Sequence, residues 1–449
     1  MLIKIAGAGA GKTTTMAESI IEKHKELSRD KNIYCITFTN SAVCCIERKL
    51  INFYGTLPSN IKLSTIHSFL YQDIIKPFYY LLYGTQFENI SSIALSSKPN
   101  YRRIKISELE KKGVIHVDVF TERAKWIICK KSSDRKKIKE KRLILLNLFK
   151  KYCGYIFIDE AQDMDKNMLE IVRKFNELSI PMELIGDPKQ DLKSSGSLRK
   201  ISDEFPEDTE YITNCHRCPQ NHLDISNTLI AESERQYSDK RKGDISVCYE
   251  SETNIKALID VQKYDLMYIS EKNARYDTSV KLKNTTRIET LFQELEQFFL
   301  EEESMKNKNE LLIKQVSYYF ASKLIESYSL TKNPKNAMRV LTALYTLNTP
   351  TYAKIIGTLQ SDDNSSDDKI KVFSIDRAKG QEGENCLFIL TKDLAPYLFL
   401  ENKEDNRTKN RLYVALTRSL HKITIVISEE VENHYGRDFI VNFLKQYNI

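Results

Sequence analysis

An α/β protein with two parallel-sheet cores is predicted by three features of this sequence. A short apolar segment, Leu2-Ile3-Lys4-Ile5, runs straight into Ala6-Gly7-Ala8-Gly9-Ala10-Gly11-Lys12-Thr13-Thr14, a glycine-rich phosphate-binding pattern. A continuous apolar run, Tyr155-Ile156-Phe157-Ile158, has the character of a strand buried on both faces and ends in Asp159-Glu160. Strand-like runs then recur at 266–269, 370–373, 386–390 and 423–427, enough for a second core.

Taken in order, 2–5 is a buried strand, and the residues after Gly11 continue as a helix whose N-terminus faces the anion. Small residues at 6–11 let successive backbone N–H groups close around phosphate oxygens. Lys12 reaches the β/γ-phosphates of ATP, and Thr13 offers its hydroxyl to Mg²⁺. Strand and helix signals alternate to about 75, then give way to a helical, basic stretch. They return at Tyr155 and at Glu183-Leu184-Ile185. The carboxyl end of the strand at 155–158 is where open α/β sheets bind ligands, so Asp159 is placed to hold Mg²⁺ and Glu160 to act as general base toward the attacking water.

Composition bounds the class. With 449 residues, 41% hydrophobic and 29% charged, the chain is an ordinary globular protein of two to four domains. No apolar run approaches a membrane span, no signal peptide precedes the first strand, and a cytoplasmic location with no membrane partner is expected. Nine scattered cysteines fit reduced thiols. Cys215-His216-Arg217-Cys218 is the only C-x-x-C and has no second pair at metal-site spacing, so no metal is expected there. Net charge is +7, and from Arg123 to Lys151 twelve basic residues, Lys136 and Lys137 among them, face only Asp134 and Glu140. That density reads as a surface for a polyanion. Arg173 and Arg199 read as solvated surface charges.

Further segments carry a resemblance. Thr37-Phe38-Thr39-Asn40-Ser41-Ala42, Thr65-Ile66-His67-Ser68-Phe69, Asp159-Glu160-Ala161-Gln162-Asp163, Gly186-Asp187-Pro188-Lys189-Gln190, the segment from Asn214 to Arg217, Ala378-Lys379-Gly380-Gln381-Glu382 and Leu412-Tyr413-Val414-Ala415-Leu416-Thr417-Arg418 stand in the order of the motifs of superfamily 1 DNA helicases of the UvrD/Rep/PcrA type. With the phosphate loop they span nearly the whole chain, which resembles that family. The resemblance implies two RecA-like P-loop NTPase cores, each with a mainly helical insertion, the second reduced. Residues 1–78 and 153–215 would form the first core and 79–152 a basic insertion. Residues 216–285 and 366–449 would form the second core, and 286–365 the reduced insertion with an acidic, exposed connector at 361–368.

It also implies roles. Gln190 would couple the γ-phosphate to the DNA groove, Arg217 and Arg418 would stabilise transition-state charge, His216 would stack on the base and Glu382 would contact the sugar. Phe38, Thr39, Asn40, His67 and Arg377 would face DNA. Three departures stand out. No adenine-reading glutamine precedes the phosphate loop. Asp191-Leu192-Lys193-Ser194-Ser195-Gly196 replaces the aromatics on which bases stack. Asp376 stands where a histidine is common.

The expected function is ATP-dependent 3′ to 5′ translocation or unwinding on single-stranded or tailed DNA. A second reading is a DNA-responsive NTPase that gates a partner nuclease, because the compact form resembles the helicase-like component of the Gabija antiphage system, which works with an OLD-type nuclease. A small-molecule P-loop kinase is disfavoured by the two arginine-bearing motifs.

Overall fold

Six parallel strands make the first sheet of the computed structural model, which describes residues 1–93, 95–96, 98–240, 242–278, 284–305, 308–360 and 369–447. The strands are β1 (Leu2–Ala6), β2 (Asn32–Thr37), β3 (Ile61–Thr65), β4 (Cys153–Ile158), β5 (Met182–Gly186) and β6 (Thr209–Ile212). Their spatial order is β3-β2-β4-β5-β1-β6. Every pairing is parallel, so all the carboxyl ends open on one edge. Because β5 lies between β1 and β4, the loops after these three strands stand side by side, and sequence-distant motifs share one crevice. Helix α1 (Lys12–Glu26) follows the glycine-rich loop and α2 (Asn40–Tyr54) follows β2. Their inner faces, Met16, Ala17, Ile20, Ile46 and Leu50, pack with Ile33, Cys35 and Phe157 of the sheet.

Between β3 and β4 the chain is mainly helical: α3 (Lys76–Tyr83), α4 (Pro99–Lys111), α5 (Phe120–Ile128) and α6 (Lys136–Tyr152), with a parallel pair of short strands, Asn89–Ser91 and Val114–His116. Helix α6 forms because Leu145, Leu146 and Phe149 recur on one face, while Lys136, Lys137, Lys139 and Lys141 project to solvent.

The second sheet contains β7 (Asp244–Tyr249), β8 (Leu266–Ile269), β9 (Phe373–Ser374), β10 (Gly383–Leu390) and β11 (Ser419–Ile427) in the order β9-β8-β10-β11-β7, again all parallel. Helix α7 (Arg407–Leu416) leads into β11. Tyr268, Phe388, Leu412, Ile425 and Ile427 are core residues here. Glu382 and Arg418 immediately precede β10 and β11, where the Gly383 N–H donates to the Arg418 carbonyl at 3.3 Å. The fold is that of a P-loop NTPase.

Residues 272–371 pack as a separate compact unit. Helices Asn284–Glu301, Glu310–Thr331, Pro334–Thr342 and Thr349–Gln360 enclose Leu295, Phe299, Leu324, Leu341, Ile355 and Leu359. Among the described residues the unit therefore takes in 272–278 and 284–285, a stretch expected in the second core. The strand expected at 370–373 is divided at the same boundary. Ile370–Lys371 pairs with Tyr276–Asp277 inside this unit, and Phe373–Ser374 joins β8. The acidic connector expected at 361–368 lies outside the described residues.

Candidate active site

The glycine-rich loop turns from β1 into α1 through Gly9 and Gly11, both with left-handed backbone, at φ +69° and +75°. Gly9 is required twice over. A Cβ there would lie 2.4 Å from the Arg217 Cβ and 3.0 Å from the Cys215 sulfur. The Lys12 ammonium folds back over the loop, 3.5 Å from the carbonyls of Ala6 and Gly7. Thr13 and Thr14 stand in the first turn of α1, whose Thr14 N–H donates to the Gly11 carbonyl at 2.8 Å.

Asp159 and Glu160 stand where β4 ends. The Glu160 backbone is itself left-handed, φ 52°, and its N–H donates to Asp159 Oδ1 at 2.9 Å, so the two carboxylates are splayed in a strained turn. Burial, reinforced by the Glu160 charge, pushes the Asp159 carboxyl up to about 7. Burial acts on Glu160 in the same sense, but Lys12 and a hydrogen bond from Gln162 outweigh it and hold Glu160 below the usual carboxylate range. Glu160 is therefore the ionised member, as a general base must be. The buried Asp159 carboxyl, which feels the Lys12 charge, and the Thr13 hydroxyl are hard oxygen donors, and such donors fit Mg²⁺. Among the described residues no cluster of three or more His, Cys, Asp or Glu could hold a metal, the C-x-x-C included.

A chain of amides and carboxylates runs from here along β5. Gln162 donates to Glu160 and accepts from the Asp187 N–H at 2.9 Å, and Gln190 Nε2 donates to Asp187 Oδ2 at 2.9 Å. Gln190 is thus joined to Glu160 through Asp187 and Gln162. Tyr413 of α7 crosses to the phosphate loop. Its hydroxyl accepts the Ala8 N–H at 3.1 Å and donates to Gln236 Oε1 at 2.7 Å, while Gln236 Nε2 donates to the Ala8 carbonyl at 2.9 Å.

The facing wall carries the segment from Asn214 to Cys218. The exposed His216 donates its N–H to the Gly9 carbonyl at 2.8 Å and stands beside Gly11. Arg217 pairs with Glu382 at 2.6 Å, so these two expected nucleotide ligands hold one another. Arg418 is 1% exposed and donates to the carbonyls of Val414 and Gln381 and to Thr417; among the described residues no carboxylate pairs with it. Burial and the neighbouring Arg217 bring it down to about 10. A guanidinium so placed leaves its charge available to an anion in the cleft. Lys379 closes the rim on Asp163 at 2.7 Å.

The residues expected on the nucleotide, Ala6 to Thr14, Asp159, Glu160, Gln190, His216, Arg217, Glu382 and Arg418, thus converge. Those expected on DNA fall in three places, with Phe38, Thr39, Asn40 and His67 together just beyond the paired strand ends Thr37 and Thr65. Phe38 is half-buried with Lys193 Nζ 5.6 Å from its ring, Thr39 is occupied in capping α2, and Asn40 and His67 are exposed at the ends of β2 and β3. Arg377 is exposed on the second core, and Lys136 and Lys137 are exposed on α6 in the insertion.

Two readings are corrected. Arg142 and Arg123, counted in the basic run, are buried and paired, Arg142 with Asp134 and Arg123 with Glu110 and Glu122. The acids that neutralise Arg123 come from its own helix and from α4, which a linear window from 123 onward misses. Arg199, read as solvated, pairs with the buried Glu234, which also holds the buried Lys189 at 2.8 Å. Asp376 is held by Arg407 and Arg411, which outweigh burial and keep its carboxyl low. Gln236 and Glu234 escaped sequence reading because a single amide or carboxylate in a loop carries no motif.

Residues 1–196 match a family model described as an AAA domain. Along its whole length the chain is similar to the Gabija protein GajB of Bacillus cereus (strain VD045), with 22% identity over 505 aligned residues covering 100% of this chain and 96% of that protein. Among solved structures it aligns with the chain in the complex of Arterivirus nonstructural protein 10 (helicase) with DNA, at 10% identity and a TM-score of 0.38, covering 99% of this chain and 63% of that one. Among the described residues no helix is long and apolar enough to cross a membrane.

Proposed function

We propose that the chain is an ATP-hydrolysing motor of the superfamily 1 helicase type that works on single-stranded or tailed DNA, moving 3′ to 5′, in an antiphage complex. The observation that carries this reading is the wall opposite the phosphate loop. Arg217 and the buried Arg418, which no carboxylate among the described residues pairs with, bring positive charge to a loop and carboxylate pair suited to phosphoryl transfer.

In this reading Lys12 leaves its two carbonyl partners for the β- and γ-phosphates. Thr13 and Asp159 would hold Mg²⁺, which would supply positive charge against the charge that develops in the reaction. Glu160 takes the proton of the attacking water, and Gln162 fixes its rotamer. Glu382 turns to the sugar hydroxyls and releases Arg217, which with Arg418 stabilises the charge that spreads over the transferred phosphoryl oxygens. Gln190 senses the γ-phosphate and passes its state through Asp187 to Tyr413, so chemistry and the position of α7 change together. Lys136, Lys137, Arg377, Phe38, Thr39, Asn40 and His67 supply the DNA contacts.

A second reading, an NTPase that responds to DNA and gates a partner nuclease of the OLD type, draws support from the loop after Gln190. Asp191 ties that loop by accepting from Lys193 N–H at 3.0 Å and Gly196 N–H at 2.7 Å, and no ring stands there for a base to stack on. The full-length likeness to a Gabija protein points the same way. The test is ATP hydrolysis with and without single-stranded DNA, followed by strand displacement on a 3′-tailed duplex. Stimulated hydrolysis with displacement supports the motor. Stimulation without displacement supports the gate, and no hydrolysis in either condition rejects both.

A further inference from the structure

The turn that carries Arg217 is closed by sulfur. The Cys218 N–H donates to Cys215 Sγ at 3.3 Å, and the Cys218 thiol hydrogen-bonds the same sulfur. Both side chains are buried, in a small cluster with Leu223. The pair nevertheless lies just beneath the cleft surface, because the flanking Asn214 and His216 are exposed. Neither sulfur has a part in the hydrolytic scheme, and no metal cluster forms around them among the described residues. The two are chemically unequal. Hydrogen bonds from Cys218 and Arg217, with the Arg217 charge, draw Cys215 down to about 6, whereas its neighbour's sulfur and burial push Cys218 well up. This is the asymmetry of an attacking and a resolving thiol.

We propose that Cys215 and Cys218 are a redox modification site, oxidised by a small hydroperoxide to an intramolecular disulfide that disables the arginine-bearing side of the nucleotide site. The Cys215 thiolate attacks one peroxide oxygen. The O–O bond breaks, hydroxide (or alkoxide, from an organic hydroperoxide) leaves and takes up the proton that Cys215 had lost, and Cys215 becomes a sulfenic acid. The Cys218 sulfur then attacks the Cys215 sulfur, an S–S bond forms, and the sulfenic hydroxyl leaves with the Cys218 proton as water. Two thiols and one hydroperoxide thus give one disulfide, one water and one molecule of water or alcohol, with two electrons passing from sulfur to the peroxide.

The turn has little slack to absorb the new bond. His216 N–H holds the Gly9 carbonyl at 2.8 Å, and the Arg217 Cβ occupies the space that a Cβ on Gly9 would need. In its protonated form Cys215 Sγ also donates to the Ala8 carbonyl at 3.2 Å, a bond lost on ionisation and absent from the disulfide, but Gln236 Nε2 keeps that carbonyl satisfied. The effect therefore falls on Arg217 and His216 more than on the phosphate loop, and oxidised protein still binds nucleotide while hydrolysing it slowly.

The consequence for turnover rests on the ATP-hydrolysis reading, whereas the disulfide does not, so the experiment reads the two separately. Full-length protein is treated with hydrogen peroxide, free thiols are alkylated, and disulfides are mapped by mass spectrometry. Hydrolysis is measured before treatment, after it, and after dithiothreitol. The expected result is a Cys215–Cys218 link, a fall in rate of tenfold or more, and recovery on reduction. In Cys215→Ser and Cys218→Ser, whose hydroxyls can keep the turn's hydrogen bonds, the ratio of treated to untreated rate should stay within about twofold of unity. A map without this link, or one showing only the exposed Cys44 and Cys45 oxidised, overturns the proposal, as does an equal loss of rate in the serine variants. If reduced protein hydrolyses no triphosphate at all, the ATPase reading fails while the disulfide map still decides whether the pair is a redox site.

Discussion

Glu160 and Asp159 are adjacent carboxylates in one buried turn, and the structure assigns them opposite protonation behaviour. Glu160→Gln keeps the shape and the hydrogen bond to Gln162 but cannot accept a proton from water, so nucleotide binding should persist while turnover falls by roughly two to four orders of magnitude. An undiminished rate in that variant would move the base elsewhere, with Asp163 the first alternative. Asp159, raised to about 7, makes a pH prediction. Below that value the carboxyl is largely protonated and must lose its proton to hold Mg²⁺; above it no proton need leave. Affinity for Mg·ATP should therefore rise with pH up to about 7, by as much as about tenfold per unit, and level off above. Titration of a fluorescent ATP analogue from pH 5.5 to 8.5 reads this, and Asp159→Asn should flatten the profile. These residues were legible in the sequence because a phosphate loop and a strand-borne acidic pair have fixed spacing and composition. Glu234 and Gln236 were not. Their partners, Lys189, Arg199, Ala8 and Tyr413, come together only through folding, and spacing along the chain says nothing of them.

At the scale of the element, the strand readings at 155–158, 266–269, 386–390 and 423–427 all fall inside observed strands, since a parallel strand buried on both faces advertises itself as a continuous apolar run. Helix α6 shows the converse. Its charge was visible, but the face each charge takes was not, because a linear count ignores that Arg142 must turn inward with Leu145 and Leu146. Buried with Asp134, it also donates to the backbone of Trp126 and Ile127 and to the Tyr83 hydroxyl. Arg142→Ala should strand the Asp134 charge and cost about 3–5 kcal/mol, with a melting temperature lower by on the order of 10 °C. The exposed Lys136, Lys137, Lys139 and Lys141 should behave differently. Replacing all four with glutamine should leave the melting temperature nearly unchanged, weaken DNA binding, and make log affinity against log salt shallower by roughly 0.7–0.9 for each phosphate that is no longer neutralised. An unchanged salt slope returns these lysines to solvent. A large fall in melting temperature shows instead that they are structural.

For the whole molecule, the two parallel sheets serve one reaction only if α7 reports to the phosphate loop, and Tyr413 is the direct hydrogen-bonded link. Tyr413→Phe leaves the Ala8 N–H without its acceptor and Gln236 without its donor, a loss of about 1–3 kcal/mol. Stimulation of hydrolysis by single-stranded DNA should shrink far more than DNA binding weakens; comparing the two in one preparation checks this, and a pure binding defect would place Tyr413 on the DNA path. The same link bears on which nucleotide the protein accepts. The buried Gln236 near the loop cannot read a base, because both ends of its amide are engaged, one on the Ala8 carbonyl and the other on Tyr413. What remains beside the loop is the exposed ring of His216, which can stack on any base and supplies no edge-specific pattern of donors and acceptors. Discrimination of about 10⁴ requires a site whose buried polar groups go unpaired with the wrong substrate, and nothing in the described residues around Gly11 and His216 has that form. The values of kcat/KM for ATP, GTP and CTP should accordingly lie within about a factor of ten to a hundred of one another. A preference for ATP of 10⁴ or more would mean that a base-reading group arrives from another chain or only on closure, and measuring the three constants for the isolated chain and again for its complex would tell those two sources apart.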